Sequence, residues 1–234
     1  VSDGLPRSAK ITRLLSHGTN LYGLDFANQK IYRVVMTTSG EYQIDHAFHC
    51  GKGPVASYTI SDIVDIAWLD TRSIVGQDTL LGFDQSGKLI YCPSDNSPPA
   101  VTVLTPPEDG WINPVSMEIY ADRLYVLDPD ANEIWIYRGA AQSFGGTPER
   151  YIGDQKLDIT DTFDFAIAQR DIFIIHSDGR ITHCTRQHPA DSPECTVGAQ
   201  YTDLRPHHPS GERLKDLDNP VNILYDPRPN HHYM

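Results

Sequence analysis

One short phrase recurs four times along this 234-residue chain: a hydrophobic run, a polar stop, a turn and a second hydrophobic run. The copies open at Leu21-Tyr22-Gly23-Leu24-Asp25, Leu80-Leu81-Gly82-Phe83-Asp84, Leu124-Tyr125-Val126-Leu127-Asp128 and Ile172-Phe173-Ile174-Ile175-His176. Their partners are Ile31-Tyr32-Arg33, Leu89-Ile90-Tyr91, Ile134-Trp135-Ile136-Tyr137-Arg138 and Ile181-Thr182-His183. A unit repeated every roughly 45 to 60 residues cannot bury its own faces, so each copy must pack on the next.

Each phrase is preceded by a further strand-like segment: Lys10 to Leu15, Ile63 to Trp68, Val115 to Tyr120 and Phe163 to Ile167. These alternate or run apolar as buried strands do. Turn formers stand between the paired strands: Phe26-Ala27-Asn28-Gln29, Gln85-Ser86-Gly87, Pro129-Asp130-Ala131-Asn132 and Ser177-Asp178-Gly179. Outer strands are expected at Tyr42 to Phe48, Ala100 to Leu104 and Arg150 to Ile152. Ala140-Ala141-Gln142 is too short for a helix and is stopped by Gly145-Gly146. The expected fold is all-β: a β-propeller of four-stranded antiparallel blades, with at least four blades.

The end of the chain starts the pattern again. Asn219-Pro220-Val221-Asn222-Ile223 echoes Asn113-Pro114-Val115-Ser116-Met117, so a fifth blade is expected to begin there. Residues 1–234 then read as one propeller domain, incomplete at its C-terminus. Val1 stands where a processed or excised chain would begin.

The formal net charge is −12, and the basic patch or stripe that a nucleic-acid binder normally shows is not visible in the sequence. The charge also disfavours anionic membrane surfaces, and no apolar run is long enough to insert in a membrane. The four cysteines are placed suggestively. Cys184 and Cys195 bracket a polar stretch that a disulfide could close, and Cys50 with Cys92 forms a second pair. Such pairing implies an oxidising, extracytoplasmic or secreted setting. The other reading is four reduced thiols in a cytosolic protein.

Leu21-Tyr22-Gly23-Leu24-Asp25 followed by Lys30-Ile31-Tyr32-Arg33, and Leu124-Tyr125-Val126-Leu127-Asp128 followed by Glu133 to Arg138, resemble the six-bladed propellers of the NHL and YWTD-like class. The resemblance covers nearly the whole chain as architecture. His176 replaces the aspartate in the fourth copy, and the second copy lacks the aromatic after its leucine. The resemblance implies a binding platform; a minority of such proteins are lactonases or other hydrolases.

Chemistry-bearing motifs are scarce. The chain has no G-x-S-x-G elbow, P-loop, C-x-x-C pair or H-E-x-x-H helix. His46, His49, His183, His188, His207, His208, His231 and His232 sit in loops or flank strands, the pattern of exposed histidines rather than a metal site. Asp65, Glu118, Asp164 and Asn222 are read at matching places of the innermost strands. From such positions the propeller lactonases that this class resembles hold calcium and activate water. The plainer role for them is hydrogen bonding beside a wet channel. Asp25, Asp84 and Asp128, each just before a turn, are expected to fix the hairpins by accepting backbone N–H groups. Trp68, Trp111 and Trp135 offer either a platform for a glycan or packing between blades.

The sequence therefore points first to a non-enzymatic interaction domain that binds a protein or glycan through its loops and needs no cofactor. A calcium-dependent, lactonase-like hydrolase is the alternative. A third reading makes the chain one portion of a larger multidomain protein.

Overall fold

The computed structural model describes residues 5–69, 79–140, 143–188 and 191–202, together with 206, 210 and 211. The segment expected to start a fifth blade, with Asn222, His207, His208, His231 and His232, lies outside the described residues. Regular structure among the described residues is strand, apart from one 3-10 turn at Pro129–Ala131.

The fold is a β-propeller with four antiparallel four-stranded blades. The first blade comprises β1 (Ile11–His17), β2 (Asn20–Asp25), β3 (Lys30–Met36) and β4 (Tyr42–Ile44). A separate hairpin follows, β5 (Gly53–Val55) and β6 (Tyr58–Ile60). The second blade is β7 (Ile63–Leu69), β8 (Thr79–Asp84), β9 (Lys88–Pro93) and β10 (Ala100–Val103). The third is β11 (Ser116–Tyr120), β12 (Arg123–Asp128), β13 (Glu133–Ala140) and β14 (Ser143–Arg150). The fourth is β15 (Thr162–Ala168), β16 (Asp171–His176), β17 (Ile181–Thr185) and β18 (Glu194–Thr196).

Burial explains the patterning. Every residue of β8 is buried, the expected state of a strand covered on both faces. The outer strands β4, β10 and β18 are short, with at least half of their residues exposed, which limits the unpaired edge each blade presents. A register shift recurs near the start of the inner strands: between Ile11 and Arg13, Ile63 and Asp65, and Thr162 and Asp164. The same bulge at the same place marks these strands as copies of one unit.

By compactness the chain divides into two units, with the boundary running through the third blade. One contains Val1–Trp111, Ala121–Leu124 and Tyr137–Pro148; the other contains Ile112–Tyr120, Tyr125–Ile136 and Glu149–Met234. In the first, Tyr22, Leu24, Ile31, Ile63, Leu80 and Ile90 form the core. In the second, Leu127, Ile134, Ile159, Phe165 and Ile174 do so.

The repeated aspartates are fully buried brackets. Asp25 accepts from the N–H of Lys10 (2.9 Å) and from the amide of Asn28 (2.7 Å). Asp84 accepts from the N–H groups of Ser61, Ser86 and Lys88, each at 2.9 Å, and from both serine hydroxyls. Asp128 accepts from the N–H groups of Ile112 and Asn113. Each carboxylate ties the strand end to the segment that leads into the same blade. Such brackets satisfy backbone donors that burial would otherwise orphan.

Two disulfides are present. Cys50–Cys92, with Cα atoms 5.9 Å apart, joins the segment after β4 to β9. Cys184–Cys195 joins residues directly opposite each other on β17 and β18, with Cα atoms 4.1 Å apart.

Three local expectations are corrected. The outer strand of the third blade is β14, not Arg150 to Ile152. Gly145-Gly146 lies within it, since an outermost strand with Gly146 at φ +78° accommodates an irregular stretch. Tyr151 and Ile152 turn into the core instead, 3% and 1% exposed. The β4 strand stops at Ile44, because the N–H of Asp45 turns back onto the carbonyl of Arg33. The β5–β6 hairpin had no counterpart in the repeat and was not expected.

Gly87 shows how tightly the second turn is fitted. It sits at φ +84°, and a Cβ placed there would overlap the Trp111 indole. Gly40 has a similar φ of +80° but open space around it. Gly40→Ala is therefore expected to lose about 1 kcal/mol, and Gly87→Ala about 2–4 kcal/mol. Urea unfolding of the two variants checks this; equal losses would show that Trp111 simply moves aside.

Candidate functional site

The inner-strand carboxylates are the first place to seek chemistry. By register, Arg13 opposes Leu24, Asp65 opposes Phe83 and Asp164 opposes Ile175, each facing the residue just before the strand-end polar stop. Ser116 lies the same distance in sequence before Asp128 as Arg13 lies before Asp25 and Asp164 before His176. Ser116, rather than Glu118, therefore occupies the equivalent place in the third blade. These residues join in pairs. Arg13 Nε donates to Asp65 Oδ1 at 3.0 Å, and Ser116 Oγ donates to Asp164 Oδ1 at 2.6 Å. Glu118 is partly exposed on β11. Among the described residues, no three His, Cys, Asp or Glu side chains are grouped to hold a metal.

A second constellation surrounds the one repeat position that lost its aspartate. His176 Nδ1 meets Asp161 Oδ1 at 2.5 Å, and Nε2 meets Thr182 Oγ1 at 2.8 Å. Arg180 donates to the other oxygen of Asp161 at 3.1 Å. Carboxylate, imidazole and hydroxyl in this order are the parts of a nucleophilic triad. A triad hydroxyl must reach substrate, however, and both His176 and Thr182 have no exposed surface. The group is a strut. In the other blades the strand end supplies the carboxylate; here the preceding linker does, through Asp161.

Trp68 and Trp111 are engaged in packing. His17 stacks on Trp68 with centroids 3.9 Å apart and planes at 15°, and Tyr22 meets it at 5.2 Å. Trp111 lies against Phe83 and Tyr137, at 5.5 and 6.0 Å. The indole nitrogens of Trp68, Trp111 and Trp135 are buried.

A further feature, among the described residues, is a cleft of 160 Å³ at the turn end of β3 and β4, which the sequence did not signal. Ile31, Tyr32, Ile44 and Phe48 give it an apolar wall; Pro6, Lys30, Asp45 and His46 also line it. Arg33 braces this region from behind. Its Nε donates to Asp45 Oδ2 at 2.9 Å, Nη1 to the Ser94 carbonyl at 2.5 Å and Nη2 to Asn96 Oδ1 at 2.8 Å. The guanidinium also lies 4.8 Å over the Phe48 ring. Burial pushes the Asp45 carboxyl up, but the hydrogen bonds from Arg33 and Ala47 outweigh it and hold it below the usual carboxylate range.

No protein-family profile matches the chain, and no curated protein matches it in sequence. Its structure is similar to that of a candidate 6-phosphogluconolactonase from Bacteroides uniformis, with a TM-score of 0.55 and 8% identity, over 83% of this chain and 58% of that one. It is also similar to a chain of a nidogen/laminin complex, with a TM-score of 0.48 and 14% identity, over 76% of this chain and 60% of that one. A third likeness is to the computationally designed Ika4 protein, with a TM-score of 0.46 and 10% identity, over 77% of this chain and 93% of that one. The chain thus spans 58% of the length of the lactonase-type relative. At such identity the likeness establishes the β-propeller fold and nothing more.

Proposed function

We propose that this chain is a non-enzymatic binding module, an NHL/YWTD-like propeller of an oxidising, extracytoplasmic compartment, whose loops dock a protein partner. One contrast carries the reading. The side chains equipped for chemistry serve as struts, while large apolar side chains, Phe26 and Tyr58 among them, are left exposed. Asp25, Asp84, Asp128 and His176 are all fully buried. Phe26 on the β2–β3 turn is 46% exposed, and Tyr58 on the β5–β6 hairpin 40%. Apolar anchors on a rigid scaffold are what a protein interface uses. A protein is favoured over a glycan because Trp68 and Trp111 already pack against other rings. The two disulfides support the compartment.

A calcium-dependent lactonase is the competing reading. Asp65 and Asp164 already engage Arg13 and Ser116, which sets them against a calcium role. Asn222 lies outside the described residues, and no reaction step follows from the groups in place.

The test compares the chain with a Phe26→Asp/Tyr58→Asp variant in cross-linking to extracellular fractions, alongside lactone hydrolysis with and without calcium. A defined protein captured by the parent and lost from the variant supports the binding module. Calcium-dependent hydrolysis that persists in the variant overturns it.

A further inference from the structure

The cleft beside β3 and β4 has a shape and charge that select one kind of ligand end. Its 160 Å³ corresponds to about five water volumes, enough for one medium-sized apolar side chain. The floor is already built: Ile44, Phe48 and Tyr32 are 9%, 3% and 8% exposed. Phe48 is held on its other sides by the Arg33 guanidinium and the edge of Tyr22. The Cys50–Cys92 bridge follows two residues later. A pocket fixed in this way loses little on binding.

The rim is asymmetric in charge. Asp45 contributes a carboxylate, but Arg33 balances it, and its Oδ1 accepts the Ala47 N–H at 2.9 Å. Lys30 is different. Its ammonium lies 4.9 Å from the Tyr32 ring centroid and, among the described residues, pairs with no carboxylate. His46, exposed, stands on the same rim. The result is an apolar socket of single-side-chain size with the exposed Lys30 ammonium at its mouth, held in no ion pair among the described residues although Asp25 stands opposite it on β2.

An internal residue of a partner could fill the socket but would leave Lys30 unanswered. A C-terminal residue brings both an apolar side chain and a carboxylate on the same Cα. We propose that this cleft binds the C-terminal residue of a protein partner, its apolar side chain against Ile44 and Phe48 and its terminal carboxylate on Lys30. The chain's overall negative charge repels a carboxylate at long range, so the contact acts within a Debye length of Lys30. The proposal rests on the binding-module reading and names what that module would grip.

The probes are N-acetyl-Gly-Gly-Leu as free acid and as amide, titrated into the intact chain by calorimetry. NMR signals of the Ile44 methyls and the His46 ring report the place of binding. The free acid is expected to bind and shift both signals, and the amide to bind at least about tenfold more weakly. Lys30→Gln should remove that difference, and Lys30→Arg should restore it. Lys30 is exposed, so neither substitution disturbs the core. The proposal is overturned if the acid and amide bind equally, if Lys30→Gln leaves the acid unaffected, or if the acid shows no saturable binding at low millimolar concentration. Should the peptides fail while capture through Phe26 and Tyr58 persists, the cleft loses its role and the binding module stands.

Discussion

Asp84→Ala is expected to destabilise the fold by about 3–4 kcal/mol at neutral pH, among the largest effects of any single substitution here. The side chain is fully buried and collects three backbone N–H groups and two hydroxyls. Removing it orphans the N–H groups of Ser61, Ser86 and Lys88 together. Acid should reproduce part of the loss in the unaltered protein. Burial pushes the Asp84 carboxyl up, but the hydrogen bonds from Ser61, Lys88 and Ser86 outweigh it, leaving a value below the ordinary carboxylate range. A carboxyl lowered in the folded state contributes stability that is fully present above its unfolded value of about 3.9. That contribution disappears as pH falls through the lower folded value. Asp25 and Asp45 are lowered as well and act in the same direction. Urea midpoints of the parent and Asp84→Asn between neutral pH and strong acid test this. The parent should fall more steeply on the acid side, and parallel curves would remove Asp84 from the account.

Removing the Cys50–Cys92 bridge by paired serine substitutions should cost about 4 kcal/mol; removing Cys184–Cys195 should cost about 3 kcal/mol. The difference follows from the loops closed, with sequence separations of 42 and 11. Topology adds a second distinction. Cys184 and Cys195 already face each other across a hydrogen-bonded ladder, whereas Cys50 and Cys92 connect segments of different blades. Loss of the first bridge should therefore lower the urea midpoint of the whole first unit; loss of the second should chiefly loosen β18, seen as faster amide exchange there. Four reactive thiols in the denatured parent protein would refute both halves of this expectation.

The inner and paired strands were legible because their side chains alternate or run apolar under constraint from both faces. The outer strands were not, since solvent imposes little on them: β14 accepts two glycines and a proline, and β18 has three residues. Arg33 illustrates the limit at the site. It shares an Ile-x-Arg pattern with Arg138, yet Arg33 is 5% exposed and clamps Asp45, Ser94 and Asn96, while Arg138 is exposed. Nothing local separates the two. Glu118 shows the converse: it reads as a counterpart of Asp65 and Asp164 on an inner strand, whereas distance to the strand-end aspartate selects Ser116.

The repeat, the hairpins and the place of the buried aspartates follow from local sequence, because each depends on residues near one another in the chain. Tertiary structure alone decided which polar groups were spent: Arg13 on Asp65, Ser116 on Asp164, His176 on Asp161 and Thr182. It alone assembled the cleft around Lys30, whose walls come from separate segments brought together by burial. Local pattern fixes which way a side chain points, but whether it meets a partner, a wall or open water depends on chain that folds against it from elsewhere.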